Sequence, residues 1–283
     1  MLTVLNALKL ATEYFDKKEI QSARINAELL LAHLLNCKRL DLYLRFDQPL
    51  GENEVEQYRQ LIARRGKYEP VQYIIGSTEF YGLQFEVNPS VLIPRPETEI
   101  LVETVINNYK YSDKIKILDI GCGSGNIAVA LAKNLPDAEI TTIDVSEEAL
   151  KIAQANAIRN EAGNIKFQLA DINSDRLFPN NKFNVLVSNP PYVSGQEFNS
   201  LQKEITMYEP RNAVTDDEDG LRFYKRISEF ANQYLVDGGS LFYEIGAGQS
   251  DDVKSLMIGN GFTSIQIIKD YQKIDRVIYG AKI

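Results

Sequence analysis

The chain of 283 residues predicts an α/β protein, in which a parallel sheet with an antiparallel last strand is joined by a linking β-hairpin to a small N-terminal helical domain. Three observations predict this. Short apolar strands at residues 115–120, 139–144, 165–169 and 183–188 alternate with helical segments, the pattern of βαβ units and a parallel sheet. Further strands are expected at 239–245, 263–269 and 275–280; the last two are too close for a parallel crossover and should pair antiparallel. Before residue 70, apolar residues recur at three- and four-residue spacings, which is the helical period.

The helical part begins with an amphipathic segment whose apolar positions are Val4, Leu5, Leu8, Leu10, Ala11 and Phe15, followed by a second with Ala27, Leu30, Leu31 and Leu34. A polar helix is expected over Asn53 to Arg65. From Gln72 to Pro89 the chain is rich in aromatic and branched residues and broken by Gly76 and Gly82, which suggests the hairpin. A helix over 97–110 then leads into the sheet. The length leaves room for one main domain and a smaller one. The expected division is 1–71 helical, 72–92 hairpin linker and 93–283 sheet domain.

Composition narrows the function classes. Hydrophobic residues make up 44% and charged residues 25%, enough to bury a core. Two cysteines, Cys37 and Cys122, are too few for a disulfide framework. The single histidine, His33, lies in an apolar run and reads as a helix residue at a core edge, so a histidine-based metal site or catalytic triad is not expected. The start of the chain has no basic stretch or cleavage site of a secretory signal, and no segment has the roughly 18 apolar residues of a membrane span. A cytoplasmic protein without a membrane partner is expected.

The formal net charge is −8. Residues 1–80 hold 11 basic and 11 acidic side chains, leaving 20 basic and 28 acidic in the rest. A protein gripping long nucleic acid needs many phosphate-neutralising cations, so this balance favours a protein or small-molecule substrate.

The strand at 115–120 runs into Asp119-Ile120-Gly121-Cys122-Gly123-Ser124-Gly125 and then an apolar helix. A glycine loop there lets the backbone approach a ligand at the carboxyl edge of the sheet. The dinucleotide fingerprint requires a sixth-place glycine, where Asn126 stands. The spacing is G-x-G-x-G, which resembles the S-adenosyl-L-methionine (AdoMet) loop of Rossmann-like methyltransferases. Asp144 ends the next strand, nineteen residues past Gly125, where a carboxylate can accept from both ribose hydroxyls. Asp171 follows the third strand, where the same resemblance places a residue near the adenine amino group. Cys122 has no base nearby in sequence and reads as a small turn residue rather than a nucleophile.

The sharpest signal is Asn189-Pro190-Pro191-Tyr192, directly after the fourth strand. Proline biases Asn189 to an extended conformation, and two prolines remove two backbone donors and leave carbonyls free to accept. A planar NH₂ group fits this corner: its hydrogens can be held by the Asn189 side-chain oxygen and the Pro190 carbonyl, with Tyr192 stacked on the flat face. Such holding aligns a poorly nucleophilic amide nitrogen with a sulfonium methyl without a strong base. Alone, the motif is also compatible with an ordinary turn, and it occurs in adenine-N6 methyltransferases as well.

Other segments separate these readings. Pro70-Val71-Gln72-Tyr73-Ile74-Ile75-Gly76, Phe80-Tyr81-Gly82 and Leu92-Ile93-Pro94-Arg95-Pro96-Glu97-Thr98-Glu99 resemble the characteristic run of the HemK/PrmC family of peptide chain release factor N5-glutamine methyltransferases. Glu209-Pro210-Arg211-Asn212-Ala213, Gly220-Leu221-Arg222-Phe223-Tyr224 and Glu244-Ile245-Gly246-Ala247-Gly248-Gln249 are similar too, and the resemblance covers nearly the whole chain. It implies methyl transfer from AdoMet, with S-adenosyl-L-homocysteine as product, to the glutamine of the Gly-Gly-Gln motif in class I release factors, with no direct nucleic-acid binding. Asn189, Pro190, Pro191 and Tyr192 would hold the glutamine amide. Asp119, Gly121, Cys122, Gly123, Ser124, Gly125, Asp144, Asp171, Ile172 and Asn189 would surround AdoMet.

The chain departs from the family pattern at Val214 (commonly leucine), Ile172 (often aromatic) and Lys273 (often glycine). Arg95 and Glu97 stand either at the substrate entrance or in a salt-bridged linker. An adenine-N6 methyltransferase remains the alternative, but should add a basic target-recognition region and room for a flipped base. A nicotinamide dehydrogenase would leave Asn189-Pro190-Pro191-Tyr192 without a role.

Overall fold

The computed structural model describes residues 1–174, 177–178 and 182–283. In chain order its helices are α1 (Val4–Lys17), α2 (Ala23–Leu34), α3 (Glu52–Arg65), α4 (Val71–Ile75), α5 (Thr98–Tyr109), α6 (Asn126–Asn134), α7 (Glu147–Arg159), α8 (Gly195–Phe198), α9 (Lys203–Tyr208), α10 (Arg211–Val214), α11 (Arg222–Tyr234) and α12 (Ser250–Gly259). The strands are β1 (Ser77–Phe80), β2 (Leu83–Glu86), β3 (Lys116–Ile120), β4 (Glu139–Asp144), β5 (Ile165–Leu169), β6 (Phe183–Ser188), β7 (Leu235–Glu244), β8 (Phe262–Lys269) and β9 (Asp275–Lys282). Contacts divide the chain into two units, Met1–Ser77 with Gln202–Tyr208, and Thr78–Leu201 with Glu209–Ile283.

The first unit is helical. Thr3 caps α1 by accepting from the Asn6 N–H, and Val4, Ala7, Leu8, Ala11 and Phe15 form its buried face. Leu5 and Leu10, which periodicity places on that face, are exposed: the buried stripe is narrower than the run of apolar residues. His33 is exposed on the last turn of α2 rather than at a core edge, a position where a basic group meets the negative end of the helix. Arg65 is buried; its Nε donates to Asn26 Oδ1 at 2.7 Å and its Nη2 to Glu204 Oε1 at 2.6 Å, which anchors α9 from far along the chain.

The hairpin is shorter than Gln72 to Pro89. Residues 71–75 form α4, with Val71, Tyr73 and Ile74 buried, so packing within the helical unit overrides the strand preference of Tyr-Ile-Ile. Strands β1 and β2 pair across Tyr81 and Gly82, both at positive φ, as a two-residue hairpin turn requires.

The second unit carries a seven-stranded sheet of order β5-β4-β3-β6-β7-β9-β8. β4, β3, β6 and β7 follow one another in parallel pairs, and β5 is parallel to β4. β9 is antiparallel to both neighbours, β7 and β8, so it is inserted between them. β7 starts earlier than the expected 239 because a register shift carries its pairing back from Ser240 to Leu235. One face of the sheet packs on α5 and α6 through Leu101, Val105, Ile127 and Leu131, and the other on α11 and α12 through Ile227, Phe230, Val253 and Met257. Central strands covered on both faces are mostly apolar; in β3 all but Lys116 is buried, Asp119 included. The carboxyl ends of β3, β4 and β6 thus converge where the chain order switches direction, the usual ligand edge of such a sheet.

Candidate active site

The loop after β3 is held by main-chain bonds. Gly121 and Cys122 both donate to the Ile143 carbonyl, at 2.9 and 3.1 Å, and Gly125 donates to the Cys122 carbonyl at 2.7 Å. Gly121, Gly123 and Gly125 have φ of 82°, 50° and 80°, in the left-handed region that excludes most side chains. A Cβ on Gly125 would also stand 2.9 Å from the Ala153 Cβ, so α6 and α7 pack closely only with glycine there.

Acidic strand ends complete the wall. Asp144 accepts from the Gly123 N–H and from the Ser146 N–H, each at 2.9 Å, which ties the loop to the end of β4 and leaves further lone pairs for a ligand. Asp171 accepts from the Asn173 backbone and side chain at 2.8 and 2.9 Å through one oxygen. Arg226 of α11 secures the same turn, its Nε donating to the Ile172 carbonyl at 2.9 Å.

Asp119 lies beneath the loop. It is fully buried, accepts from Thr142 Oγ1 at 2.7 Å through Oδ2, and has no partner on Oδ1 among the described residues. Burial pushes its carboxyl up to about 7, against the Thr142 hydrogen bond and with a smaller push from Asp144. Burial also raises the Cys122 thiol, followed by the Asp144 and Asp119 charges; the thiol therefore stays protonated, and Cys122 is a small wall residue rather than a nucleophile.

After β6 the chain turns through Asn189 to Tyr192. Asn189 Nδ2 donates to Thr98 Oγ1 at 3.2 Å, and Thr98 Oγ1 donates to Glu244 Oε2 at 2.6 Å. Tyr192 donates to the other Glu244 oxygen at 3.4 Å. Burial raises the Tyr192 phenol, and the Glu244 charge raises it further, so it remains a donor. Gln249 braces the turn: its Nε2 donates to the Tyr192 carbonyl at 2.9 Å, and its Oε1 accepts from the Gly246 N–H at 3.0 Å. Gly220 comes so close behind that a Cβ would meet the Tyr192 carbonyl oxygen at 2.4 Å.

These parts enclose a cavity of about 440 Å³, within the range of small-molecule sites. Gly121, Cys122, Gly123, Ser124, Asp144, Asp171, Ile172, Asn189, Pro190 and Pro191 line it, together with Arg95 and Thr98. Asp119, Gly125 and Tyr192 are not among the residues lining it; Asp119 bonds Thr142, Gly125 packs on Ala153, and Tyr192 bonds Glu244 and Gln249. Arg95 lines the cavity and also pairs with buried Glu209 at 2.6 Å. Glu97 is the N-cap of α5 and off the wall.

Thr98, Glu244, Asn156, Arg226 and Gln249 were not singled out from sequence. Their partners lie far along the chain. Thr98, within the Leu92–Glu99 run, and the glutamate and glutamine at the ends of the Glu244–Gln249 run carried a family signal but no indication of a role.

A sheet of this order, with its glycine loop and two acidic strand ends around one ligand-sized cavity, defines an AdoMet-dependent methyltransferase. Residues 96–211 match the methyltransferase small domain and residues 6–76 the PrmC N-terminal domain. A methyltransferase structure from Pyrococcus furiosus superposes with a TM-score of 0.54 at 19% identity, covering 78% of this chain and 98% of that one. The release factor glutamine methyltransferase of Geobacter sulfurreducens is 41% identical over 98% of this chain and 96% of its own, and that of Koribacter versatilis is 40% identical over 99% of each. The chain belongs to the release factor glutamine methyltransferase family.

Proposed function

We propose that the chain transfers a methyl group from AdoMet to the side-chain amide nitrogen, N5, of the glutamine in the Gly-Gly-Gln motif of class I release factors. The observation that carries this is the state of Asn189. One hydrogen of its Nδ2 goes to Thr98, which turns the amide nitrogen toward Thr98 and leaves Oδ1 to accept from a planar NH₂ at the cavity wall. Pro190 and Pro191, which lack N–H groups, follow it and also line the cavity.

The cavity fits AdoMet in size and in donor set. Asp144 would receive the ribose hydroxyls, Asp171 the adenine amino group, and the 121–124 backbone the amino-acid portion. When bound there, AdoMet would supply the methyl group from its sulfonium sulfur, with S-adenosyl-L-homocysteine as product.

The chain's own residues make the amide competent. Asn189 Oδ1 and the Pro190 carbonyl accept its two hydrogens, which orients the nitrogen and favours the positive charge it gains as the new N–C bond forms. The surplus proton then leaves to water. Tyr192 acts from behind by fixing the turn, through its hydroxyl on Glu244 and its carbonyl on Gln249. The helical domain, residues 1–71, serves substrate recognition, and the enzyme works in the cytoplasm; among the described residues no helix is long and apolar enough to cross a membrane.

Mass spectrometry of a release factor incubated with enzyme and AdoMet checks the reading. One added methyl on the Gly-Gly-Gln peptide, located to the glutamine side chain, is the expected result. An unmodified peptide, or a methyl elsewhere, would overturn it.

A further inference from the structure

From Asn189 and Thr98 on the cavity wall to Glu244 behind it runs one chain of hydrogen bonds whose direction is chemically constrained. Thr98 and Glu244 are each 1% exposed, so water does not substitute for either partner. A hydroxyl has a single hydrogen. While Glu244 is a carboxylate, that hydrogen is committed to Glu244 Oε2 at 2.6 Å. Thr98 can then only accept, and Asn189 must turn its NH₂ toward it, as it does at 3.2 Å. Protonation of Glu244 permits the reverse chain, in which the carboxyl donates to Thr98 and Thr98 donates to Asn189 Oδ1. The Asn189 NH₂ would then face the cavity and meet the substrate NH₂ donor to donor.

We propose that Thr98 and Glu244 are positioning residues that set which end of the Asn189 amide faces the substrate, with ionised Glu244 as the active form. This rests on the reading of Asn189 as acceptor of the substrate amide hydrogens.

The surroundings of Glu244 allow both states near neutrality. Burial is the largest influence and raises its carboxyl to about 7. The Thr98 hydrogen bond, the Arg276 charge from β9 and the Tyr192 hydroxyl favour the charged form, while Glu97 at the start of α5 opposes it. Tyr224 of α11 bonds the Glu244 backbone carbonyl at 2.9 Å rather than its carboxylate. Arg95 acts on neighbouring Tyr192. Turnover should therefore be full above this range and fall as the medium becomes more acidic.

The test is kcat and KM for release factor across about pH 5.5 to about pH 8.5 in wild type, Thr98→Ser, Thr98→Val and Glu244→Gln. Wild-type methylation of the release factor is the control that separates failure of this relay from failure of the functional reading. Thr98→Ser keeps the hydroxyl and should keep both turnover and the acid limb. Thr98→Val should lower kcat about tenfold or more and flatten the limb. Glu244→Gln can still accept from Thr98 through its amide oxygen at any pH, so it should lose the acid limb while binding AdoMet as wild type does. Wild-type kcat in Thr98→Val would overturn the proposal. So would an acid limb that survives in Glu244→Gln, since it would then belong to another group such as Asp119. Should Thr98→Val fail to fold, the pH profiles of Thr98→Ser and Glu244→Gln decide alone.

Discussion

The side chain of Asn156 bonds both backbone groups of Glu86, accepting from its N–H at 2.6 Å and donating to its carbonyl at 3.0 Å. Its Nδ2 also donates to the Ser124 carbonyl at 2.9 Å. One fully buried amide on α7 therefore joins the second hairpin strand to the glycine loop after β3, and it does so with its acceptor and both donors used.

Replacing that amide leaves three main-chain groups without partners. Asn156→Ala is expected to cost about 3 kcal/mol of stability, the usual scale for breaking a buried hydrogen-bond network, and to weaken AdoMet binding. Denaturant unfolding together with titration calorimetry checks this; an AdoMet Kd equal to wild type would separate the hairpin from the cofactor loop.

Asn189→Ala removes the proposed acceptor while leaving the cofactor loop intact. Methyl transfer should fall by a factor of about a hundred or more, the scale of losing one preorganised polar contact at a reacting group. A variant that retained full transfer would show that the amide clamp is not the source of catalysis.

Tyr192 supports the turn from outside the cavity wall. Tyr192→Ala should therefore lower kcat more than it raises the AdoMet Kd. The reverse pattern would move Tyr192 into the cofactor site.

Asp119 makes stability depend on pH. Its folded-state carboxyl is raised to about 7, so its contribution to stability is fully present below the unfolded carboxylate range and is lost as the pH rises through about 7. The effect amounts to at most about 4 kcal/mol. Asp119→Asn, which cannot ionise, should show a flatter Tm between about pH 4 and pH 8 than wild type; an unchanged slope would assign the dependence to other groups.

The fold was legible wherever its signal was local. The βαβ alternation, the G-x-G-x-G loop and Asn189 to Tyr192 are each contained in a few adjacent residues, and all three meet at one edge of the sheet. The insertion of β9 between β7 and β8 was not legible, because strand order depends on which edge is free and not on the strand's own residues. The helix over 71–75 was hidden by branched and aromatic residues whose burial, rather than their propensity, decides their conformation.

Much of the cavity wall was legible in the sequence, and the residues that support it were not. Thr98 and Glu244 are 146 residues apart and Asn156 and Glu86 are 70 apart; nothing near either residue indicates its partner. The same holds for Gln202–Tyr208, which packs with the helical unit through Arg65 and Glu204, 139 residues apart. Lys273, where the resemblance leads one to expect glycine, sits at φ 66°, a left-handed position that glycine adopts without strain.

The amide of one glutamine is the proposed methyl acceptor. The most direct measurement incubates the purified protein and labelled AdoMet with an unmodified release factor, with a version carrying Gly-Gly-Ala in place of Gly-Gly-Gln, and with DNA. Label on the intact release factor alone is predicted; label on DNA, or on both release factors, would contradict the glutamine assignment.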